Sequence, residues 1–310
     1  MTVRWLDWLR APKRPDAVEA ELFDEAFQRK LEYLAVASRR LFAGRLRAER
    51  RTRISGSGIE FADHRAYTPG DDLRALDWSV YGRTERLLVK RFEEEEDLTI
   101  AIVLDVSGSM GFGGRGRFDH ARRLAAAMAY VALNNLDRVT LIAVSTKVER
   151  RLPPARGKGQ IFKVFEFLRG LKPGGETALA EAARTLGAEL KRRGVAIVVS
   201  DLYDPAGFER GINALRYQKF EPMVIHVTDA RDADPGARGD VLLVDAESGD
   251  GREVTLTPAL VAKFRDAHAH WRREVEGFCK SRRVAYAPAD VEGALEDQVL
   301  NLFRRSGLVD

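Results

Sequence analysis

From Leu98 onward the chain alternates short, almost wholly apolar runs with longer stretches of helical periodicity, and this constrains its fold more than any other feature. The runs are LTIAIVL (98–104), RVTLIAV (138–144), VAIVVS (195–200), PMVIHV (222–227), DVLLVDA (240–246) and VAYAP (284–288), with VERRL (148–152) reading as an edge strand. Helices are predicted between them over Phe118–Asn135, Gln160–Leu171, Ala178–Arg193, Ala206–Gln218, Pro258–Lys280 and Val291–Arg304. A strand with one wet face alternates apolar and polar residues. A continuous apolar strand is covered on both faces, and helices between such strands serve as crossovers of a mostly parallel sheet. The expected fold is therefore α/β, an open, doubly wound, mostly parallel sheet. In such sheets ligands bind beyond the carboxyl ends of the strands, where the strand order reverses.

The 310 residues suffice for one large domain with extensions, and 45% apolar residues can supply its core. Cys279 is the only cysteine, which excludes an internal disulfide and fits a reducing compartment. The start, MTVRWLDWLRAPKRP, lacks the apolar core of a signal peptide, and no stretch approaches the roughly 20 apolar residues of a spanning helix. A cytoplasmic location is expected. Trp5, Leu6, Trp8 and Leu9 form a short amphipathic start expected to dock on the protein itself. Asp16 and Glu19 have capping-box spacing, and Phe23, Phe27, Leu31, Leu34, Leu41 and Phe42 then recur at helical intervals, predicting a long helix to about Gly44. Seven arginines (39, 40, 45, 47, 50, 51 and 53) face one acid, Glu49. They invite an anionic partner such as nucleic acid or a lipid surface, but no aromatic side chains interleave with them as a stacking platform needs. The preferred reading is a solvated helix face, with nucleic-acid binding as the alternative.

Residues 54–97 change texture. Pro69-Gly70 signals a turn, LLVKRFE a strand, and GDDLRALDW one or two helical turns capped by Asp71 or Asp72. Asp71, Asp72, Arg74, Asp77 and Arg83 read as caps and ion pairs tying an extra strand to the sheet. The acids Glu93–Asp97 read as a solvated strand end, with a clasp onto the arginines as the alternative. Three regions follow: an Arg-rich helical extension (1–53), a β-rich segment (54–97) and the α/β domain (98–310).

The strand-end rule then selects residues. The run 98–104 leads into Asp105, Ser107 and Ser109, the run 195–200 into Asp201, and KPGGETAL places Thr177 at a helix cap. These are oxygen donors only, without His or Cys, which suits a hard cation such as Mg²⁺ or Mn²⁺. Asp105 and Asp201 either bind the metal directly or hold its waters. Neutral hydroxyls leave much of the cation's charge uncompensated, so it should seek a carboxylate from a partner protein. No general base stands nearby, since His120 reads as a satisfied helical histidine and His226 as core. The expected role is non-enzymatic, with a metal-dependent phosphoester hydrolase as the enzyme alternative. Gly111, Gly113 and Gly116 spell G-x-G-x-x-G but begin seven residues after Leu104, too far from the strand for a dinucleotide turn. They read as a flexible surface rim carrying Arg115 and Arg117.

DVSGSM (105–110) with Thr177 and Asp201 resembles the metal-ion-dependent adhesion site of von Willebrand factor type A domains. The resemblance implies Ser107, Ser109 and Thr177 as close ligands, with Asp105 and Asp201 acting partly through water. The stretch from EFADHRAYTPGDDLRALDW to LLVKRFEEEE, just before it, is similar to the bacterial "domain of unknown function" family fifty-eight. That likeness covers about residues 54–230 and implies an adaptor working beside a MoxR-type AAA+ ATPase.

Overall fold

The structure is a computed structural model that describes residues 22–42, 51–55, 60–95, 99–112, 115–189, 194–234 and 236–305. In chain order the elements are α1 (Glu25–Phe42), β1 (Arg51–Ser55), β2 (Glu60–Ala66), α2 (Trp78–Thr84), β3 (Leu88–Glu95), β4 (Thr99–Asp105), α3 (Arg115–Asn134), β5 (Arg138–Val144), β6 (Val148–Arg156), α4 (Ile161–Arg169), α5 (Leu179–Glu189), β7 (Gly194–Ser200), α6 (Phe208–Tyr217), β8 (Phe220–Thr228), β9 (Gly239–Val244), β10 (Gly251–Leu256), α7 (Pro258–Ser281), β11 (Ala285–Asp290) and α8 (Leu295–Arg305). They form two compact units, one of residues 42–98 and one of residues 1–41 with 99–310.

The larger unit holds a six-stranded sheet of order β11-β8-β7-β4-β5-β6, parallel except for β6 at one edge. After β4 the chain moves to β5 and β6 on one side, then returns to β7 and β8 on the other. The reversal of order therefore falls between β4 and β7. Ala101, Val103, Ile142, Ala196 and Val198 pack on one face against α5, α6 and α7 through Leu186, Ile212, Val275 and Cys279. The residues between them, Ile102, Leu104, Leu141, Ile197 and Val199, are equally buried and point the other way, where α3 lies against β4, β5 and β7. Two covered faces explain the unbroken apolar runs, each such side chain contributing about 1.5–3 kcal/mol.

Helix α1 belongs to this unit. Its amphipathic face buries Phe27, Leu31 and Leu34, and Phe23, in the turn before it, stacks on Phe165 of α4 at 4.5 Å. The helix does not run on from residue 16 as expected. It starts at Glu25 behind a turn, with Asp24 Oδ1 accepting a hydrogen bond from the Phe27 amide at 2.7 Å. The predicted Asp16 cap and residues 1–15 lie outside the described residues.

A second correction concerns DVLLVDA. It is not a strand of the main sheet but half of a separate hairpin, β9 paired antiparallel with β10. Of β9 only Val241 is buried, while Leu242, Leu243 and Val244 are exposed, so an apolar run there does not mark a covered strand.

The smaller unit is a three-stranded antiparallel sheet of order β1-β3-β2, complete in itself rather than an extra strand of the main sheet. Asp72 caps a single 3₁₀ turn (Leu73–Ala75), and Asp77 caps α2 by accepting from the Ser79 and Val80 amides. Asp71 holds Arg65 through two contacts of 2.8 and 2.9 Å. These signature residues build the fold, as caps and ion pairs. Arg51 and Arg53 are strand residues, not helix-face residues, and the register sets them opposite Glu95 and Glu93. Arg45, Arg47 and Arg50 lie outside the described residues.

Candidate functional site

The reversal between β4 and β7 puts the ends of these adjacent strands, Asp105 and Ser200–Asp201, side by side at the carboxyl end of the sheet. Asp105 is fully buried. Its Oδ1 accepts from the Ser107 amide at 2.9 Å and its Oδ2 from the Ser200 hydroxyl at 2.6 Å. The Asp-x-Ser spacing makes the first of these contacts local, because an aspartate readily bonds the backbone two residues on. It also turns the chain so that the Ser107 and Ser109 hydroxyls stand 3.0 Å apart.

Asp201 is also fully buried. It accepts from the Ser109 hydroxyl and from Arg117 Nη1, the latter at 3.0 Å. Thr177 arrives on a loop bonded to the first one: the Gly108 amide donates to Gly175 O at 2.8 Å and the Gly174 amide to Val106 O at 2.7 Å. Asp105, Ser107, Ser109 and Asp201 are thus joined by hydrogen bonds through Ser200 and one another's hydroxyls, and Thr177 lies on the loop tied to theirs. Thr177, however, is engaged by Glu247, whose Oε1 accepts from its hydroxyl at 2.6 Å and whose Oε2 accepts from its amide at 3.0 Å.

Electrostatically the two aspartates differ. Burial, followed by the nearby Asp201 charge, pushes the Asp105 carboxyl up to about 7. Burial also raises Asp201, against the pull of Arg117. Among the described residues no cationic side chain pairs with Asp105. A buried carboxylate without a counter-charge is costly. Beside hydroxyl oxygens, it is the kind of donor a hard divalent cation satisfies. The donor chemistry therefore fits Mg²⁺ or Mn²⁺. Among the described residues, no cluster of three or more His, Cys, Asp or Glu side chains forms a different metal site.

Arg117 corrects the reading of a flexible rim. It lies in the first turn of α3, is 1% exposed, and pairs with both Asp201 and Asp232. Gly111 ends a 3₁₀ turn over Ser109–Gly111, while Gly113 and Gly114 lie outside the described residues. Beside the site opens a cleft of about 790 Å³ walled by Phe112, Tyr203, Phe264, His268 and Trp271. Tyr203 stacks on Trp271 at 4.8 Å, and its hydroxyl lies 3.2 Å from His268 Nε2. His120 is satisfied by Gln298 at 2.8 Å. His226 is buried against the Tyr286 hydroxyl at 2.9 Å, and burial pushes it down to about 3, keeping it neutral.

Sequence reasoning missed Ser200, Arg117, Asp232 and Glu247. A signal existed for Glu247: ESGDG between two short apolar runs is a hairpin turn. No spacing rule points to Arg117.

No helix among the described residues is long and apolar enough to cross a membrane. The chain is 29% identical over 266 residues to the uncharacterized protein Rv1480 of Mycobacterium tuberculosis, covering 84% of each. Among solved structures it is similar to the conserved hypothetical protein BatB from Bacteroides thetaiotaomicron, at 17% identity and TM-score 0.42, over 68% of this chain and 98% of that one. An aerotolerance-related membrane protein from Bacteroides fragilis is similar at 14% identity and TM-score 0.40, with the same coverage. The family described as "Protein of unknown function DUF58" matches residues 63–274, a span that contains every residue of the strand-end site, and the chain belongs to that family.

Proposed function

We propose that the strand-end cluster is a metal-dependent protein-interaction site of the von Willebrand factor type A kind. Ser107, Ser109 and Thr177 would hold Mg²⁺ or Mn²⁺ closely, with Asp105 and Asp201 binding directly or through water. The cation would grip an acidic side chain of a partner protein. The observation that carries this reading is Asp105, a fully buried carboxylate with no cationic partner among the described residues, at the strand-order reversal beside two hydroxyls 3.0 Å apart. The reading is of binding rather than catalysis, because the donors gathered at the strand ends are carboxylates and hydroxyls, and His120 and His226 are each held by a neighbouring side chain outside that set. The family resemblance makes a MoxR-type AAA+ ATPase the proposed partner, met in the cytoplasm.

The test is affinity capture from native cells by the tagged full chain, in Mg²⁺ against chelator, with the doubly substituted Asp105→Ala/Ser107→Ala chain alongside. Capture of an ATPase of that class in Mg²⁺, lost in chelator and in the variant, is the expected result. Equal capture in all three arms rejects the metal-dependent grip.

A further inference from the structure

The β9–β10 hairpin shares no strand pairing with the main sheet, and its apolar support is small: Val241 and Leu256 against Val261 of α7. Its tip is nevertheless well formed. Asp245 Oδ1 accepts from the Glu247 amide at 2.9 Å and the Ser248 amide at 2.8 Å, which fixes the turn and presents Glu247. The tip reaches the strand-end site at two points. One is the bidentate grip of Glu247 on the Thr177 hydroxyl and amide. The other is the backbone at Gly108, where a Cβ would stand 2.5 Å from Ala246 O, so only glycine allows the tip to lie this close.

We infer that Glu247 is a tethered carboxylate occupying the place of the partner's acid, and that the hairpin is a latch which must lift before that acid enters. The inference rests on the metal-site reading above and names how the site is regulated. The chemistry matches: the hydroxyl and amide that hold both Glu247 oxygens are the groups an incoming Asp or Glu would use. The hydroxyl oxygen keeps a lone pair toward the cation while its proton is given to Glu247, so latch and metal coexist, whereas latch and partner compete. The partner surface is then a carboxylate flanked by an apolar side chain, because the cleft beside the latch is walled by aromatic rings.

The experiment compares the full-length wild type with Glu247→Gln, in which one acceptor becomes an NH₂ group facing the donors of Thr177. Mn²⁺ alone is titrated first by electron paramagnetic resonance. N-acetylglutamate amide, a single tethered-acid mimic, is then titrated at saturating Mn²⁺. The expected result is Mn²⁺ binding by both chains and about tenfold or tighter binding of the glutamate probe by the variant, since a hydrogen-bonded charge is removed from the site. Mn²⁺ binding by the variant alone would mean that Glu247 excludes the cation, and overturns a latch that coexists with the metal. Equal probe affinity in two Mn²⁺-binding chains overturns the latch and leaves the metal reading standing. No Mn²⁺ binding in either chain overturns the metal reading and the latch with it. Ser248→Ala on the same tip controls for a loosened hairpin: it should keep wild-type probe affinity, and an equal gain there also overturns the proposal.

Discussion

Asp71 and Asp105 are both aspartates hydrogen-bonded to neighbouring hydroxyls, one in each unit, yet their surroundings drive them in opposite directions. Asp71 accepts from Arg65 and from the Thr68 amide and hydroxyl, which hold its carboxyl well below the usual carboxylate range. Asp105 also accepts hydrogen bonds, but burial outweighs them and raises it. Asp77 follows Asp71: its bond to His64 and its capping bonds lower it. Asp201 follows Asp105. Asp71, Asp72 and Asp77 of the smaller unit are consumed by the turns and ion pairs they stabilise. The strand-end acids carry a cost that Arg117 relieves in part at Asp201 and that no cation among the described residues relieves at Asp105, and such residues are where a functional site is to be sought.

The largest expected effect tests whether Arg117 is the partial relief of that cost. Arg117→Met strands Asp201 and Asp232 without their cation, and removing one partner of a buried pair typically costs about 3–5 kcal/mol. Urea unfolding of the variant should show a loss of that size; a change within experimental error would mean the pair is not buried in solution. Next in size is the contrast itself. Asp105→Asn should weaken Mn²⁺ binding roughly 10- to 100-fold, as loss of an outer or inner ligand-holding group does, without lowering stability in chelator. Asp71→Asn should do the reverse, lowering stability and leaving Mn²⁺ affinity alone. Matching behaviour of the two variants in calorimetric titration would erase the distinction. The smallest effect concerns His120, lowered by burial against the bond from Gln298, with Arg123 and Asp290 nearby. A base depressed in the folded state gives its full stability above the unfolded value, near pH 6.5, and loses it as pH falls below that. The loss is at most about 1.4 kcal/mol per pH unit. His120→Asn should flatten the stability curve between about pH 7 and pH 5.5; an unchanged slope would show that His120 does not contribute.

Much of the larger unit was legible because its strands state their burial locally. RVTLIAV begins and ends where β5 does, and the apolar runs leading into Asp105 and Asp201 mark two adjacent strands of a parallel sheet. Asp105, Ser107, Ser109 and Asp201 followed from strand ends, a rule of topology rather than of distance along the chain, and Thr177 from the helix cap beside them. What was not legible depended on partners far away or on exposure. DVLLVDA looks covered yet is largely exposed in its hairpin. Arg117 looks like a loop cation until Asp201 and Asp232 fold around it. Glu247 meets Thr177 across 70 residues of chain, a pairing no periodicity encodes. The 51–53 arginines looked helical because a charged strand with acids opposite it has the same composition as a solvated helix face.

The larger unit is interrupted in sequence, since α1 precedes the inserted unit of residues 42–98 and the rest follows it. Lys30 of α1 pairs with Glu296 of α8, 266 residues later. During synthesis Phe23 and the helix that follows it are therefore made early and housed late, while the inserted unit has its strands and turns within reach at once. Domains generally fold as units in the order they emerge. In this chain Phe23 and Phe27 must wait for their ring partner Phe165 until α4 exists, and Lys30 for Glu296 until α8 does. Until then that aromatic surface is open to wrong contacts, as transiently exposed apolar surface is.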